Sequence, residues 1–368
     1  MLFTETKKKR IFTPDYKRTM KKQKTTLMDI ARHAGLSIGT VDRVLHNRGE
    51  VSRKSQEKVM QAIRDLGYEP NMHASLLSSG RQALIAVLIP SPASGPFWSL
   101  SAEGIGRAAQ ATAPLGVTIR KVDYDQTDLD DFRRAARQVL DMAPSGVVVA
   151  PMFRHETLGL VEELRRREIP FVFIDSKVEN DSYLAYFGMP MYESGYLCGD
   201  LLTAGHAVGH LLIVRILSDR HGQSDPTASR REGFMDYLAE HSPGCRVSQV
   251  FIDPDDPAQT RQVLDDFFKE NPEVRHIVMF NSRIYLIVPW LESNAGTERR
   301  VVGFDNLEAN VEALTRGTVD ILIAQHPDEQ VALAVQALSD RAMLDREPAR
   351  KDNFMHMDIL TRYNVKYY

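Results

Sequence analysis

The sequence has few of the residues and patterns that mark a disulfide-bonded, metal-binding or membrane protein. Its 368 residues include only two cysteines, Cys198 and Cys245, which stand far apart and in no metal or redox spacing. No apolar run approaches the length of a membrane span, and the N-terminus has no hydrophobic signal core. We therefore expect a soluble protein of the reducing cytoplasm that needs no cofactor.

Signatures of enzymes are scarce as well, and no phosphate-binding P-loop is present. The run from Gly104 to Ala109 imitates a dinucleotide fingerprint, but it begins well past the end of the preceding predicted strand, where phosphate would not reach it. His206 and His210 are four residues apart, yet Gly205 and Gly209 predict a loop there and no third ligand is near. These observations argue against an enzyme and against a metal site.

Charge is distributed unevenly along the chain. Residues 1–81 carry 17 Lys or Arg and 8 Asp or Glu, whereas the remaining residues carry 29 and 41. A polyanion would therefore bind the N-terminal part. Residues 1–24 lack periodicity and are predicted to form a disordered basic arm. We expect this arm to be a dispensable extension and translation to start at Met20.

The stretch from Leu27 to Leu45 has the spacing of two helices joined by a tight turn. Ala31 is small enough for the second helix to approach, Gly35 can adopt the positive φ of the turn, and Val41 can close the shared core. Ser37 is placed to cap the second helix by accepting from its first-turn N–H groups. The pattern favours a helix-turn-helix, although the same spacing occurs in helical hairpins that bind no nucleic acid.

A third helix is predicted over Arg53 to Leu66. Val59 and Ile63 stand at helical spacing, Ser52 is a natural N-cap, and Gly67 lies where a C-cap belongs. Together the three helices form a small predicted domain over residues 25–69.

This region resembles the start of a lactose-repressor-like (LacI/GalR) bacterial regulator. That family reads Thr-Leu-x-Asp-Ile-Ala, Ala-Gly-Leu-Ser, Thr-Val-x-Arg-Val-Leu, Val-Ser and Leu-Gly-Tyr-x-Pro-Asn. The same segments begin here at Thr26, Ala34, Thr40, Val51 and Leu66. The resemblance implies a sequence-specific transcriptional regulator that binds a DNA operator, but it does not give the sequence of that operator. Asp42 departs from the usual Ser or Ala, and its carboxylate would repel phosphate but accept from a cytosine amino group.

The resemblance also implies which residues bind DNA, as a homodimer on a palindromic operator. Ile38 and Gly39 begin the recognition helix and are the first candidates for base contacts. Thr40, Arg53 and Asn71 are expected to contact phosphate or to hold the head. The complete set of predicted DNA-binding residues is Thr26, Ser37, Ile38, Gly39, Thr40, Asp42, Arg43, His46, Arg53, Asn71, Ala74 and Leu77.

Residues 70–82 are the predicted hinge between head and body. In the family this segment becomes a short helix only on the operator, where a leucine wedges into the minor groove. Leu77 occupies the matching position, three residues after Ala74. The alternative is an ordinary linker in which Leu76 and Leu77 pack against the body.

From residue 83 onward, apolar β-branched runs alternate with amphipathic stretches. The predicted strands are Leu84 to Ile89, Val117 to Val122, Gly146 to Ala150, Phe171 to Ile174, Leu211 to Ile216, Val247 to Ile252, Ile277 to Phe280, Val301 to Phe304 and Ile321 to Ala324. This alternation predicts an α/β domain of two doubly wound lobes with parallel sheets. A ligand would then lie in the crevice beyond the carboxyl ends of the strands.

The body, residues 83–368, is similar to the sugar-binding fold of periplasmic ribose- and galactose-type receptors. That resemblance implies a small sugar or polyol effector and three crossings of the chain between the lobes. We place the crossings near Gly188 to Pro190, Ala324 to His326 and Met355 to Asp358.

A polyol needs paired donors and acceptors and a flat apolar contact for its C–H face. Phe97 and Trp98 are predicted to sandwich its ring. The complete set of predicted ligand-binding residues is Phe97, Trp98, Asp175, Arg230, Asn281, Asp305 and Gln325. A single strand-end Asp or Asn is more often a helix cap, and Arg231 is nearly as good a candidate as Arg230.

Three positions depart from the ribose-receptor pattern. Gly95 stands where Asn is usual, Ser176 stands where Arg often pairs with the Asp, and Ser282-Arg283 replaces the second member of an Asn-Asp pair. Because Arg283 is positively charged, an acidic or phosphorylated ligand is an alternative to a neutral sugar.

The favoured hypothesis is a homodimeric repressor of a carbohydrate or polyol operon whose DNA affinity responds to a small ligand. One alternative keeps the DNA role and replaces the metabolite by a partner protein. The other is a sugar-recognising enzyme or carrier with a vestigial head.

Overall fold

The computed structural model describes residues 25–45, 49–67, 81–217 and 227–368. The chain divides into an N-terminal unit that ends at Ser75 and a larger unit that begins at Leu76. Within the described ranges, no helix combines the length and apolar character that crossing a lipid bilayer would require.

Three helices form the N-terminal unit: α1 (Leu27–Ala34), α2 (Ile38–Leu45) and α3 (Arg53–Leu66). Gly35 adopts φ 64° after α1, and this left-handed residue turns the chain into α2. The side chains of Ala31 and Val41 are buried in one core, together with Val59 from α3. The helix-turn-helix and its third helix are thus as predicted.

In the larger unit, strands and helices alternate along the chain. The strands are β1 (Ala83–Pro90), β2 (Val117–Tyr124), β3 (Gly146–Val149), β4 (Phe171–Ile174), β5 (Ala185–Gly188), β6 (His210–Ile216), β7 (Arg246–Ile252), β8 (His276–Val278), β9 (Arg300–Phe304), β10 (Ile321–Ala324), β11 (Asp352–Phe354) and β12 (Asp358–Leu360). The helices are α4 (Ser99–Thr112), α5 (Leu129–Asp141), α6 (Arg154–Arg166), α7 (Met191–Thr203), α8 (Ala228–His241), α9 (Pro257–Glu270), α10 (Val288–Ser293), α11 (Glu308–Arg316) and α12 (Pro327–Leu344). Short 3-10 turns occur at Pro96–Trp98, Ala113–Leu115, Ile284–Ile287 and Val365–Tyr367.

These strands form two six-stranded sheets, one in each lobe. Lobe 1 has the order β11-β5-β4-β3-β1-β2, and all of its pairs are parallel. Lobe 2 has the order β12-β10-β9-β8-β6-β7, in which only β12 runs antiparallel to its neighbour. Apolar side chains cover both faces of each sheet, which explains the near-continuous apolar runs of the strands. The predicted fold class is confirmed.

In the described part of the chain, the backbone passes from one sheet to the other at three points. It does so between β5 and α7, between β10 and α12, and between β11 and β12, at the predicted places. The nine predicted strands are present with small shifts of their ends. The prediction missed β5, β11 and β12, which have three or four residues each and lack the runs of β-branched apolar residues by which the others were found.

Candidate functional site

The turn and the start of α2 form the exposed face of the head. The Ser37 hydroxyl accepts from the backbone N–H of Thr40 at 3.1 Å, so the predicted cap is present. Ile38 is 45% exposed, and Gly39 and Arg43 are exposed as well. A face with a helix N-terminus and short side chains can approach a DNA groove closely.

The run from Gly35 to Gly39 also has the Gly-x-Ser-x-Gly spacing of a nucleophile elbow. It joins two helices, whereas an elbow joins a strand to a helix. Ser37 is used as a helix cap here. The spacing therefore gives no support to a serine hydrolase.

The remaining predicted DNA-binding residues differ in their hydrogen bonds and in their exposure. Thr26 forms a capping box with Asp29, whose carboxylate accepts from the Thr26 backbone N–H at 2.9 Å. These hydrogen bonds lower the pKa of Asp29. Arg53 extends from α3 with its side chain 93% exposed. Thr40 and Asp42 are half-buried. The predicted contacts at His46, Asn71, Ala74 and Leu77 lie outside the described residues.

We expect Ser37→Ala to weaken DNA binding without unfolding the chain. The substitution removes the acceptor for the Thr40 N–H, and the loss of such a cap typically costs about 1 kcal/mol. Thermal unfolding of the full chain and fluorescence anisotropy on its operator would measure both effects. Ser37→Asp, which restores a capping oxygen, should recover the stability; an equal loss in both variants would contradict the capping role.

The predicted ligand residues converge at the carboxyl ends of strands in both lobes. Asp175 follows β4 in lobe 1, and Asp305 follows β9 at the same place in the strand order of lobe 2. Both residues adopt φ 65°, a left-handed conformation that Asp tolerates better than most residues. Asp175 is 8% exposed and Asp305 is 2% exposed.

Burial determines the electrostatics of the two carboxyl groups. Desolvation raises the pKa of Asp175 to about 6, although the charge of Arg230 opposes this rise. Desolvation likewise raises the pKa of Asp305 to about 7, against the effects of Arg230 and the neighbouring Gln325 side chain. The charge of one arginine therefore reaches carboxyl groups from both lobes.

Arg230 is 3% exposed, and its hydrogen-bond partners among the described residues are neutral groups. Its Nε donates to the Ser194 hydroxyl at 3.0 Å, and an Nη group donates to the Phe280 carbonyl oxygen. Its guanidinium also lies 3.9 Å from the centre of the Phe304 ring. Its charge acts on Asp175 and Asp305, although it forms no ion pair with a carboxylate of the described residues. The structure thus favours Arg230 over the half-buried Arg231 as the candidate.

Two acceptor atoms at this position have no partner. Oδ1 of Asp305 and Oε1 of Gln325 are both buried without a hydrogen bond. A buried acceptor without a partner costs free energy, which the hydroxyl groups of a ligand would recover. Gln330, which the sequence prediction missed, supports the site from α12. Its amide accepts from the Asp175 N–H at 3.0 Å and donates to the Gln325 carbonyl at 2.9 Å.

The predicted sandwich of a sugar ring between Phe97 and Trp98 is wrong. The two rings are 5.1 Å apart with their planes at 81°, in an edge-to-face arrangement. Both side chains are buried in the core of lobe 1. Adjacent residues in a 3-10 turn point in different directions, so they cannot supply parallel plates. A contact of either ring edge with a ligand stays a prediction.

The loops beyond β1 and β8 meet across the cleft. Arg283 donates to the Ser94 carbonyl oxygen at 3.1 Å, and its own backbone N–H donates to the Asn281 side chain at 2.9 Å. A Cβ atom at Gly95 would lie 2.5 Å from Nε2 of Gln126. The Gln126 amide therefore occupies the space of the Asn usual at position 95. Neither Ser94 nor Gln126 was predicted, although both follow strands at the cleft edge.

The run that imitates a dinucleotide fingerprint and the histidine pair have other roles in the structure. Gly104 lies inside α4, where its lack of a side chain allows α4 to approach the backbone of Asp328 on α12. His210 lies in β6, with its two ring nitrogens at 2.7 Å from Glu273 and 2.9 Å from Ser248. A search of the described residues finds no group of three His, Cys, Asp or Glu side chains placed to hold a metal ion.

Comparison with known proteins identifies both units. Residues 26–71 match the lacI family of bacterial regulatory proteins, and residues 85–344 match the periplasmic binding protein domain. The chain is 29% identical over 220 residues to the HTH-type transcriptional regulator DegA of Bacillus subtilis, covering 59% of this chain and 61% of that protein. It is 28% identical over 248 residues to the ribose operon repressor of Halalkalibacterium halodurans, covering 66% and 68%.

The chain thus spans about three fifths to two thirds of the length of these curated relatives. A solved structure from Bacteroides fragilis, assigned as a LacI transcriptional regulator, has a TM-score of 0.73 and 31% identity. The match covers 78% of this chain and 100% of that chain.

Proposed function

Because the chain belongs to the LacI family of bacterial regulatory proteins, with a periplasmic-binding-protein-like body, we propose that it represses a carbohydrate or polyol operon. In this proposal a homodimer binds a palindromic DNA operator through its two heads, and a small polyhydroxylated effector in the cleft changes its affinity for that operator. The observation that carries the proposal is the presence, in one chain, of a helix-turn-helix with an exposed recognition helix and a cleft lined by unpartnered buried acceptors.

The head supports the DNA-binding half of the proposal. The start of α2 is exposed, and Gly39 has only the Ser37 hydroxyl, at 3.9 Å, near the position of a Cβ atom. A base edge can therefore approach the backbone at this point. The excess of Lys and Arg in the first 81 residues would attract DNA phosphates, so the affinity should fall steeply with salt.

The cleft supports the effector half. Asp175 and Gln330 come from lobe 1, whereas Arg230 and Asp305 come from lobe 2. A polyol that binds Asp175 from lobe 1 together with Arg230 and Asp305 from lobe 2 would hold the lobes in one arrangement. A coupling free energy of about 1 to 3 kcal/mol, or some fivefold to a hundredfold in operator affinity, is typical of such switches.

Selection of binding sites from random duplex DNA by the full chain tests the DNA-binding half. We expect enrichment of a symmetric sequence. Gly39→Ala should leave the head folded, because the added methyl group has open space there. It should change the preferred bases, because the methyl group would lie where a base edge approaches the backbone. Leu77→Ala should mainly reduce DNA bending and affinity. Random fragments bound as tightly as any symmetric duplex would overturn the proposal.

A thermal-shift screen against neutral sugars, sugar acids and polyols tests the effector half. A compound that raises the melting temperature should also change operator retention in an anisotropy assay. If DNA binding responds only to a second protein and to no metabolite, the body serves as a docking domain. If a bound sugar is turned over, the chain is an enzyme.

A further inference from the structure

Arg283 is the second arginine of the cleft and is less buried than Arg230. It follows β8 in lobe 2, and its guanidinium reaches the Ser94 carbonyl oxygen in lobe 1 at 3.1 Å. The side chain of Asn281 accepts from the Arg283 backbone N–H, which fixes the loop that carries the guanidinium. The residue is half-buried, so part of its side chain is within reach of solvent and ligands.

The pairing of Arg283 differs from that of many arginines in the described part of the body. Arg166 and Arg316, for example, form ion pairs with glutamates at 2.6 Å and 2.9 Å. No carboxylate of the described residues lies within 4.0 Å of the Arg283 guanidinium. A guanidinium has five donor groups, and the Ser94 carbonyl engages one of its nitrogens. The others are available to an acceptor that enters the cleft.

The acceptor that Arg283 uses is already shared. The Ser94 carbonyl oxygen also accepts from Nε2 of Gln126 at 2.5 Å, and the Ser94 hydroxyl accepts from the Gln126 backbone N–H at 3.2 Å. Gln126 therefore holds the lobe 1 loop in place without help from Arg283. An anionic oxygen could replace the carbonyl as the partner of Arg283, and this loop would keep its own support.

Arg283 does not act on the two buried carboxyl groups as Arg230 does. Arg230 lowers the pKa of both Asp175 and Asp305, whereas Arg283 contributes to neither. Two buried carboxyl groups thus lie near one arginine, whereas the half-buried Arg283 forms no ion pair with any carboxylate of the described residues. A ligand that matches this arrangement has hydroxyl groups at one end and a negative charge at the other.

We propose that the effector is a polyol with one terminal anionic group, a phosphate or a carboxylate, and that Arg283 binds that group. This inference rests on the proposed function, since it concerns the effector of the same cleft. A guanidinium binds phosphate and carboxylate through two parallel hydrogen bonds, which a neutral hydroxyl group cannot accept in the same way. Arg283 would then select charged effectors from the larger pool of neutral sugars.

Titration calorimetry on the full chain with matched probes tests this proposal. The probes are D-ribose with D-ribose 5-phosphate, and D-glucose with D-glucose 6-phosphate and D-gluconate. Inorganic phosphate is measured alone to reveal binding of the anion without the polyol. We expect one anionic member to bind at least tenfold more tightly than its neutral partner, and the phosphate and gluconate arms distinguish the two sources of charge.

Arg283→Gln should abolish the preference for the anionic probe and change the affinity for the neutral partner by less than about threefold. Arg283→Lys should retain part of the preference. Arg261→Gln removes one positive charge from an exposed side chain of α9 in the same lobe, and it should leave the preference intact.

A neutral sugar that binds as tightly as its anionic partner overturns this inference and leaves the proposed function standing. An anionic preference that survives Arg283→Gln also overturns it. Failure of every probe, neutral or charged, counts against both the inference and the effector half of the proposed function.

Discussion

Asp305→Asn is expected to raise the free energy of unfolding by about 1 to 3 kcal/mol at pH 8 and by a smaller amount at pH 5. The side chain is 2% exposed and one of its oxygens has no hydrogen-bond partner. An ionised carboxylate in such a place costs more than an amide of the same shape. Urea unfolding at the two pH values would measure the difference.

The direction of the pH effect follows from the raised pKa. The pKa of Asp305 is about 7 in the folded chain, and an Asp in an unfolded chain has a pKa of about 4. Between these values the folded chain binds a proton that the unfolded chain does not. Its stabilising contribution is therefore complete only below the pKa of the unfolded chain, decreases as the pH rises from about 4, and is lost above about 7. Asp175, with a pKa of about 6, acts in the same direction.

The same substitution should weaken effector binding by about tenfold to a hundredfold, since a hydrogen bond to a charged group typically contributes about 1.5 to 3 kcal/mol. A variant that is more stable but less responsive would show that the buried Asp305 carboxyl group lowers stability and contributes to effector binding. Asp266→Asn, an exposed change on α9, should alter stability by no more than about 0.5 kcal/mol. A loss of stability in Asp305→Asn at pH 8 would contradict the buried-charge argument.

Sequence patterns predicted the head almost completely, because its determinants are local. Gly35 needs a positive φ, Ser37 caps a helix that begins at the next residue, and α3 has the predicted bounds. Each of these features depends on residues within one or two turns of each other. The strand-end positions of Asp175 and Asp305 were predictable too, since the alternation of strands and helices puts the carboxyl ends of strands along the crevice.

The parts that the sequence did not predict depend on distant contacts. β11 has three polar or exposed residues, and it is a strand because it pairs with β5 more than 160 positions earlier in the chain. The Phe97 and Trp98 rings pack into the core instead of facing each other. Contacts across the cleft, such as Arg283 with Ser94, join loops whose separation along the chain hides their proximity.

The packing of α7 against α8 leads to the second large effect, because it determines where Arg230 lies. A Cβ atom at Gly195 on α7 would collide with the backbone carbonyl oxygen of Arg230 on α8. The contact is with backbone, so neither helix can relieve it by moving a side chain. Gly195→Ala should separate the two helices and lower the free energy of unfolding by about 3 kcal/mol.

Effector binding should fall at least about tenfold in the same variant, because α7 supplies groups that hold the Arg230 side chain and a charged hydrogen bond contributes about 1.5 kcal/mol or more. These are the Ser194 hydroxyl, at 3.0 Å from Nε, and the Met191 sulfur, at 3.2 Å from Nη2. Thermal unfolding and effector titration would measure the two losses. DNA binding without effector should persist, since the head has its own core.

Gly159→Ala is the matched control, because Gly159 lies within α6 and no atom comes within 4 Å of an added Cβ. Exchange of glycine for alanine in an open helical position should stabilise the chain by about 0.5 to 1 kcal/mol. The two variants add the same methyl group and should change stability in opposite directions. If Gly195→Ala were tolerated with unchanged effector affinity, the close approach of α7 and α8 would not be what positions Arg230, and its contacts with Phe280 and Phe304 would suffice.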